Sequence, residues 1–291
     1  ISQGLKPITA IQMVTINTAE HFGVSREVGM IAPGRFADVL LVEDLAKLQP
    51  DLVISQGTVV ADNGKLTIEH PGYAYPEWVL NSIHLRRELT AQDFKLSAPK
   101  DGKLTANVIG VIENQAPTNH LRMEVTAQEG EVSIDLERDI LKIAVVERHF
   151  DSGGVQVGLV HGFGLKIPCA IGTTVAHDCH HMIVVGSSEA DMALAANELA
   201  RAGGGQIVVQ EGKVIGQVQL PIAGLMSNEP AQMVAHKAAT VLQGFQTCGC
   251  QLNNPNMQLS LLALVVIPEL RISDLGLVDV TKFEFIPVLE A

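Results

Sequence analysis

Basic residues are scarce in this 291-residue chain: 20 Lys and Arg stand against 32 Asp and Glu, a formal net charge of −12. Nucleic acid needs a basic face, and the densest basic run, HLRREL at 84–89, is too short to supply one. Cysteine is also sparse. The four, at positions 169, 179, 248 and 250, are too few for a disulfide scaffold. CGC at 248–250 is too tight for an ordinary disulfide, and it lacks the spacing of zinc-binding thiols. The thiols therefore read as reduced, which places the protein in the cytoplasm. The longest apolar runs, such as LSLLALVVIP at 259–268, fall short of the roughly 20 residues that cross a bilayer, so no membrane partner is expected. The opening, ISQGLKPITA, lacks the basic-then-apolar order of a secretory leader. It also lacks an initiator Met, which suggests a fragment or a processed chain. No internal repeat or low-complexity segment is visible.

What is present is core-forming material. Apolar residues make up 47% and charged residues 18%, the composition of a globular chain with more than one domain. Residues 6–22 read as a helix, with Pro7 at its start, Ile8, Ile11 and Val14 at helical spacing, and Gly23 at its end. Residues 28–68 read as a small all-β unit with turns at Gly57 and at Asn63-Gly64. A proline- and aromatic-rich connector follows. From 104 the texture is strand-like, with a helix in SSEADMALAANELARAGGG, capped by Ser188 and ended by Gly203–Gly205. A hairpin turns at Glu211-Gly212. A second helix spans 229–246, with Ser227 or Asn228 as its cap, and an apolar element ends at Pro268. The domains expected are 1–25, 26–70, a connector 71–103, and an α+β domain 104–291.

TTVAHDCHHMIVVG, at 173–186, concentrates His177, Asp178, Cys179, His180 and His181 between apolar runs. If extended, it points His177, Cys179 and His181 one way and Asp178 and His180 the other. If helical, it stacks His177 over His181 at i, i+4. A strand end or loop suits its β-rich flanks best. Imidazoles and carboxylates suit metal ligation, proton transfer or hydrogen bonding to a polar heterocycle; a satisfied polar loop is the plain alternative. VVERH at 145–149 adds Glu147 and His149, with Glu147 and Arg148 expected as a simple ion pair. His161 reads as a satisfied core histidine. GLMSNEP at 224–230 reads as a helix start without a ligand, and the glycines at 203–205 follow a helix rather than precede one, unlike a phosphate cradle.

The block VGMIAPGRFADVLLVEDL with VISQGTVVADNGKL resembles the amidohydrolase superfamily, in which a (β/α)8 barrel is followed by a return to a small β-sandwich. NVIGVIENQAPTNHL, VVERH, GLVHGFGL, TTVAHDCHHMIVVG, DMALAANELARAGGGQIVV and LPIAGLMSNEP together resemble the C-terminal region of bacterial adenine deaminases, in order and along essentially the whole chain. The commoner family form of the central motif is SVAHDSHN; here Cys179 and His181 replace its serine and asparagine.

The resemblance implies an α+β fold: the last barrel helix at 1–25, a β-sandwich segment at 26–70, and a mixed C-terminal domain. It implies hydrolytic deamination of adenine to hypoxanthine and ammonia, with a divalent manganese or iron centre in the barrel. The family's His-x-His ligands precede this sequence, and the chain has no such pair, so no metal ligand is assigned to it and no activity is expected of it alone. His177 and Asp178, then His180, are expected to help close the site over the purine or to support the metal's ligands, with Glu147, His149 and His181 behind them. Adenine is the expected partner and a homo-oligomer the expected assembly. Two alternatives remain: another amidohydrolase acting on a cyclic amide or amine, and a non-catalytic structural or oligomerisation module.

Overall fold

A computed structural model describes residues 1–69 and 72–290. The boundary expected at 70/71 therefore falls on residues outside those described. The chain divides into two units, Ile1–Ala74 and Tyr75–Ala291.

The first unit opens with α1 (Pro7–Val14) and α2 (Ile16–His21). The single helix expected over 6–22 is thus two. The break is at Thr15, which sits at φ −122° and ψ −98°. Its hydroxyl donates to the Ile11 carbonyl at 2.6 Å, while its N–H bonds Gln12 rather than Ile11. A threonine hydroxyl that competes for the i−4 carbonyl in this way disturbs the helical ladder. The four strands that follow, β1 (Val39–Val42), β2 (Pro50–Ser55), β3 (Thr58–Asp62) and β4 (Lys65–Leu66), form one antiparallel sheet in sequence order. Gln56-Gly57 and Asn63-Gly64 turn its hairpins, all four residues at positive φ, as two-residue turns that match the strand twist require. Among the described residues of this unit Ala19 is the one buried apolar residue, while Ile8, Met13, Val14 and Phe22 stand exposed.

The second unit has a mixed α+β fold. A short helix α3 (Glu77–Leu80) and a 3-10 turn at Ala91–Phe94 lead into the strands. These are β5 (Gly102–Val111), β6 (Thr118–Gln128), β7 (Glu131–Val132), β8 (Leu141–Val146), β9 (Val155–His161), β10 (Cys169–Thr173), β11 (Met182–Gly186), β12 (Gly205–Gln210) and β13 (Lys213–Gln219). They form one sheet, ordered β13-β12-β10-β11-β8-β9-β5-β6-β7. Every pairing is antiparallel except β5 with β9.

Both faces of the sheet are covered. α4 (Glu189–Arg201) and Phe94 pack on one side; α5 (Ala231–Thr247), α6 (Pro255–Leu261) and a small sheet of β14 (Leu270–Ser273), β15 (Gly276–Asp279) and β16 (Glu284–Ile286) pack on the other. β8 shows why its sequence, LKIAVV, does not alternate. Ile143 and Val145 enter the core beneath α5, Ala144 and Val146 the core beneath α4, and all six of its residues are buried. A strand covered on two sides reads as a continuous apolar run.

Local signals explain the ends of the helices. Ser188 Oγ accepts the Asp191 N–H at 3.3 Å and starts α4. The Asp191 carboxylate accepts from Glu211 and Gly212 N–H, pinning the turn of the β12–β13 hairpin to that helix. Gly203–Gly205 end α4, and a Cβ on Gly205 would lie 2.0 Å from the Val218 carbonyl oxygen. The start of α5 differs from expectation. Pro230 occupies the cap position without a side-chain bond, and Ser227 instead accepts from Glu229 N–H in the preceding turn. A proline-led start leaves one fewer N–H to satisfy. Among the described residues no helix is long and apolar enough to cross a membrane.

Candidate functional site

The histidine-rich stretch is a loop of turns between β10 and β11, so neither strand alternation nor helical stacking orders its side chains. Two anchors hold its ends. Thr174 Oγ1 accepts Gly205 N–H at 2.8 Å and donates to the Gly224 carbonyl at 2.6 Å. His177 N–H donates to the Ser260 carbonyl at 2.8 Å, tying the loop to α6. Within the loop His180 N–H closes on the Ala176 carbonyl at 2.7 Å, and His180 takes φ +51°.

This path brings His181 against His149. The rings of His149 and His181 lie 4.8 Å apart. His149 Nε2 donates to the Cys179 carbonyl at 2.9 Å, which sets its tautomer. His181 is 6% exposed, and its Nε2 lies 3.6 Å from an Asp274 carboxylate oxygen. The Nδ1 atoms of His177, His180 and His181 are all buried without a hydrogen-bond partner. Burial depresses the pKa of His180, with the Arg148 cation adding to the effect. Burial depresses that of His181 too, against the pull of Asp274. Both rings are therefore neutral near pH 7, each with one nitrogen to donate and one to accept. Burial raises the Cys179 thiol pKa, so this sulfur is a thiol rather than a nucleophilic thiolate. Asp178 projects at the exposed tip of the loop.

Glu147 and Arg148 do not form the expected ion pair. The Glu147 carboxylate accepts from the N–H groups of His149, Phe150 (2.8 Å) and Ser152 (3.0 Å), and from the Ser152 hydroxyl at 2.9 Å. Burial acts to raise its pKa, but the hydrogen bonds from Ser152, Phe150 and His149 prevail and bring it to about 2. Arg148, 1% exposed, turns the other way and donates only to Ser82 and to backbone carbonyls of two loops. Consecutive residues of a strand end face opposite sides, so neighbours in sequence reach different partners. His161, at the end of β9, is half-buried rather than a core residue.

The side chains do not fit a metal ion. Among the described residues, no three His, Cys, Asp or Glu side chains converge closely enough to hold one. The four donors saturate Glu147, and His149 Nε2 is engaged by a carbonyl. What the cluster can do is offer hydrogen-bonding imidazole edges to a polar ring. Sequence reasoning missed Asp274, 93 positions from His181 (274 − 181), and the loops at Ser82 and Ala223. None of them lies within a motif that pointed to the histidines.

Residues 2–67 match the amidohydrolase family, and residues 115–284 match the adenine deaminase C-terminal domain. The class is thus that of an amidohydrolase-type chain with a specialised C-terminal domain. The second match covers more than half of the sequence, and the chain belongs to the adenine deaminase C-terminal domain family. It is 52% identical over 285 residues to the adenine deaminase of Mesorhizobium japonicum, covering 98% of this chain and 47% of that protein. It is 50% identical over 289 residues to adenine deaminase 3 of Rhizobium meliloti, covering 99% and 49%. The adenine deaminase of Moorella thermoacetica is 46% identical over 290 residues, covering 99% and 48%. The chain spans about half the length of these curated relatives.

Proposed function

We propose that this chain is the C-terminal half of a metal-dependent adenine deaminase, which adds water to adenine and releases hypoxanthine and ammonia. The observation that carries the reading is the histidine loop. Three buried imidazole nitrogens without partners, in one five-residue stretch, call for a polar ligand, because buried polar atoms are ordinarily hydrogen-bonded. The names of relatives that align along the whole chain support adenine as that ligand.

In this reading His177, Asp178 and His180 close over the purine, and His149 and His181 back them. The neutral imidazole of His180 bonds a ring nitrogen without placing a charge against it, and Glu147 shapes the turn that carries His149. A divalent cation of manganese or iron type belongs to the preceding half of the protein, since the residues here do not fit one. Residues 1–25 would be the last barrel helix and 26–70 the β-sandwich return. The exposed apolar side chains of Ile8, Met13, Val14 and Phe22 support this, since they need cover. The four free cysteines support a cytoplasmic setting, and exposed Phe283 and Phe285 support a homo-oligomer.

Ammonia release by the full-length protein, measured with adenine, adenosine and cyclic amides, tests the activity. Turnover of adenine above the others is the expected result. In the same assay His177→Ala and Asp178→Ala should each raise KM or lower kcat at least tenfold. Unchanged constants in both would remove the loop from the site.

A further inference from the structure

We propose that Arg148 is the positioning residue of the histidine loop, its buried guanidinium locking three separate loops into the arrangement that aims His177, His180 and His181 at the ligand. The inference rests on the reading of the loop given above.

A cation sits in the interior here, where none would be expected. Arg148 is 1% exposed, yet among the described residues no carboxylate forms an ion pair with it, and the Glu147 charge acts on it only through space. Keeping a charge in the interior without a directly paired counter-ion is costly, so its retention asks for a reason. The reason lies in the spread of its donors. Nε donates to the His180 carbonyl at 2.5 Å, Nη1 to the Ser82 carbonyl at 2.9 Å, and Nη2 to the Ala223 carbonyl at 3.1 Å. These three carbonyls belong to segments that are far apart in sequence and share no ladder. The arginine backbone adds a fourth tie, its carbonyl accepting from His84 N–H at 2.8 Å.

Each tie bears on the site. Holding the His180 carbonyl fixes the peptide that joins His180 to His181, and His180 already sits at φ +51°. The orientation of both rings therefore follows from that one bond. The loop at Ala223 is also the loop whose Gly224 carbonyl accepts from Thr174, the first anchor of the histidine segment. Gly224 is shaped to admit the guanidinium: a Cβ there would lie 2.9–3.0 Å from Nη1, Cζ and Nη2, and its φ is +72°. A planar fork with fixed donor directions can span three acceptors; an ammonium, a point charge on a flexible stem, cannot.

The test uses the full-length enzyme, comparing Arg148→Lys with Lys142→Met. Lys142 is the control because it is a fully buried cation on β8, the strand that leads to Arg148, bonded to Glu131 and Glu189 and six residues, at most about 20 Å of extended chain, from Arg148. Both variants should lose thermal stability. In Arg148→Lys alone, KM for adenine should rise at least tenfold with kcat within threefold. Hydrogen exchange should also quicken in peptides covering 80–84, 174–182 and 221–226. Lys142→Met should keep both constants within twofold and exchange in those peptides unchanged. Constants within twofold in Arg148→Lys, or the same kinetic loss in Lys142→Met, would overturn the proposal. If Arg148→Lys does not fold, Gly224→Ala keeps the charge and disturbs its seat. It should show the same rise in KM and the same quickened exchange, and their absence counts against the role. If the unsubstituted enzyme does not turn over adenine, the functional reading falls. The exchange comparison needs no substrate and still decides the positioning role.

Discussion

Glu147→Gln puts the electrostatics of the turn after β8 to a quantitative test. In the folded chain the Glu147 carboxylate receives four donors, three of them backbone N–H groups, and its pKa drops from 4.5 to about 2. The folded pKa is depressed, so the contribution is fully present above the unfolded value and disappears as pH falls through the folded one. A gap of about two and a half pH units (4.5 − 2), at about 1.4 kcal/mol each, corresponds to at most about 3.5 kcal/mol at neutral pH. Glutamine keeps the shape but turns an amide N–H2 towards donors, so it also leaves a buried donor unpaired. The expected loss is about 2–3 kcal/mol at pH 7. Urea unfolding followed at a series of pH values measures it. The stability difference between parent and variant should hold from pH 7 to about 5, then shrink steadily as pH falls from about 4.5 towards 2. A difference below about 0.5 kcal/mol at pH 7, or one that does not change across that acid range, would refute the reasoning.

Two further predictions concern the scaffold. Lys142→Met takes the cation from Glu189 and leaves Glu131 with Lys95 alone, and because both carboxylates are about one-quarter exposed the cost should be about 2–3 kcal/mol rather than the larger figure for fully buried pairs; chemical denaturation measures it, and an unchanged midpoint would show that the bridge contributes nothing. Gly205→Ala should cost more than about 3 kcal/mol, since the new Cβ meets the Val218 carbonyl oxygen and φ is +147°; soluble expression with an unaltered melting temperature would contradict the packing described for the β12–β13 edge.

Much of the architecture was legible because it is encoded locally. Asn63-Gly64 and Glu211-Gly212 announce their turns, Ser188 announces α4, and the apolar stretch around β8 announces a strand. The helix break at Thr15 was not legible, because it depends on which carbonyl a hydroxyl reaches. Nor was the start of α5, where Ser227 serves the preceding turn instead. At the site, the density of titratable residues at 177–181 drew attention to the loop that carries the unpartnered imidazole nitrogens. Which of them meet, and through what, was hidden.

By itself, then, the sequence determined the α+β character, the turns at Asn63-Gly64 and Glu211-Gly212, the start of α4, the family resemblance and the identity of the histidine-rich segment, since each follows from residue type at short spacing. Only the tertiary structure decided that His149 lies against His181, that Asp274 reaches His181, and that Arg148 leaves its neighbour Glu147 for carbonyls at 82, 180 and 223. Those contacts join residues dozens of positions apart, and chain closure through the sheet, rather than any local preference, brings them within hydrogen-bonding distance.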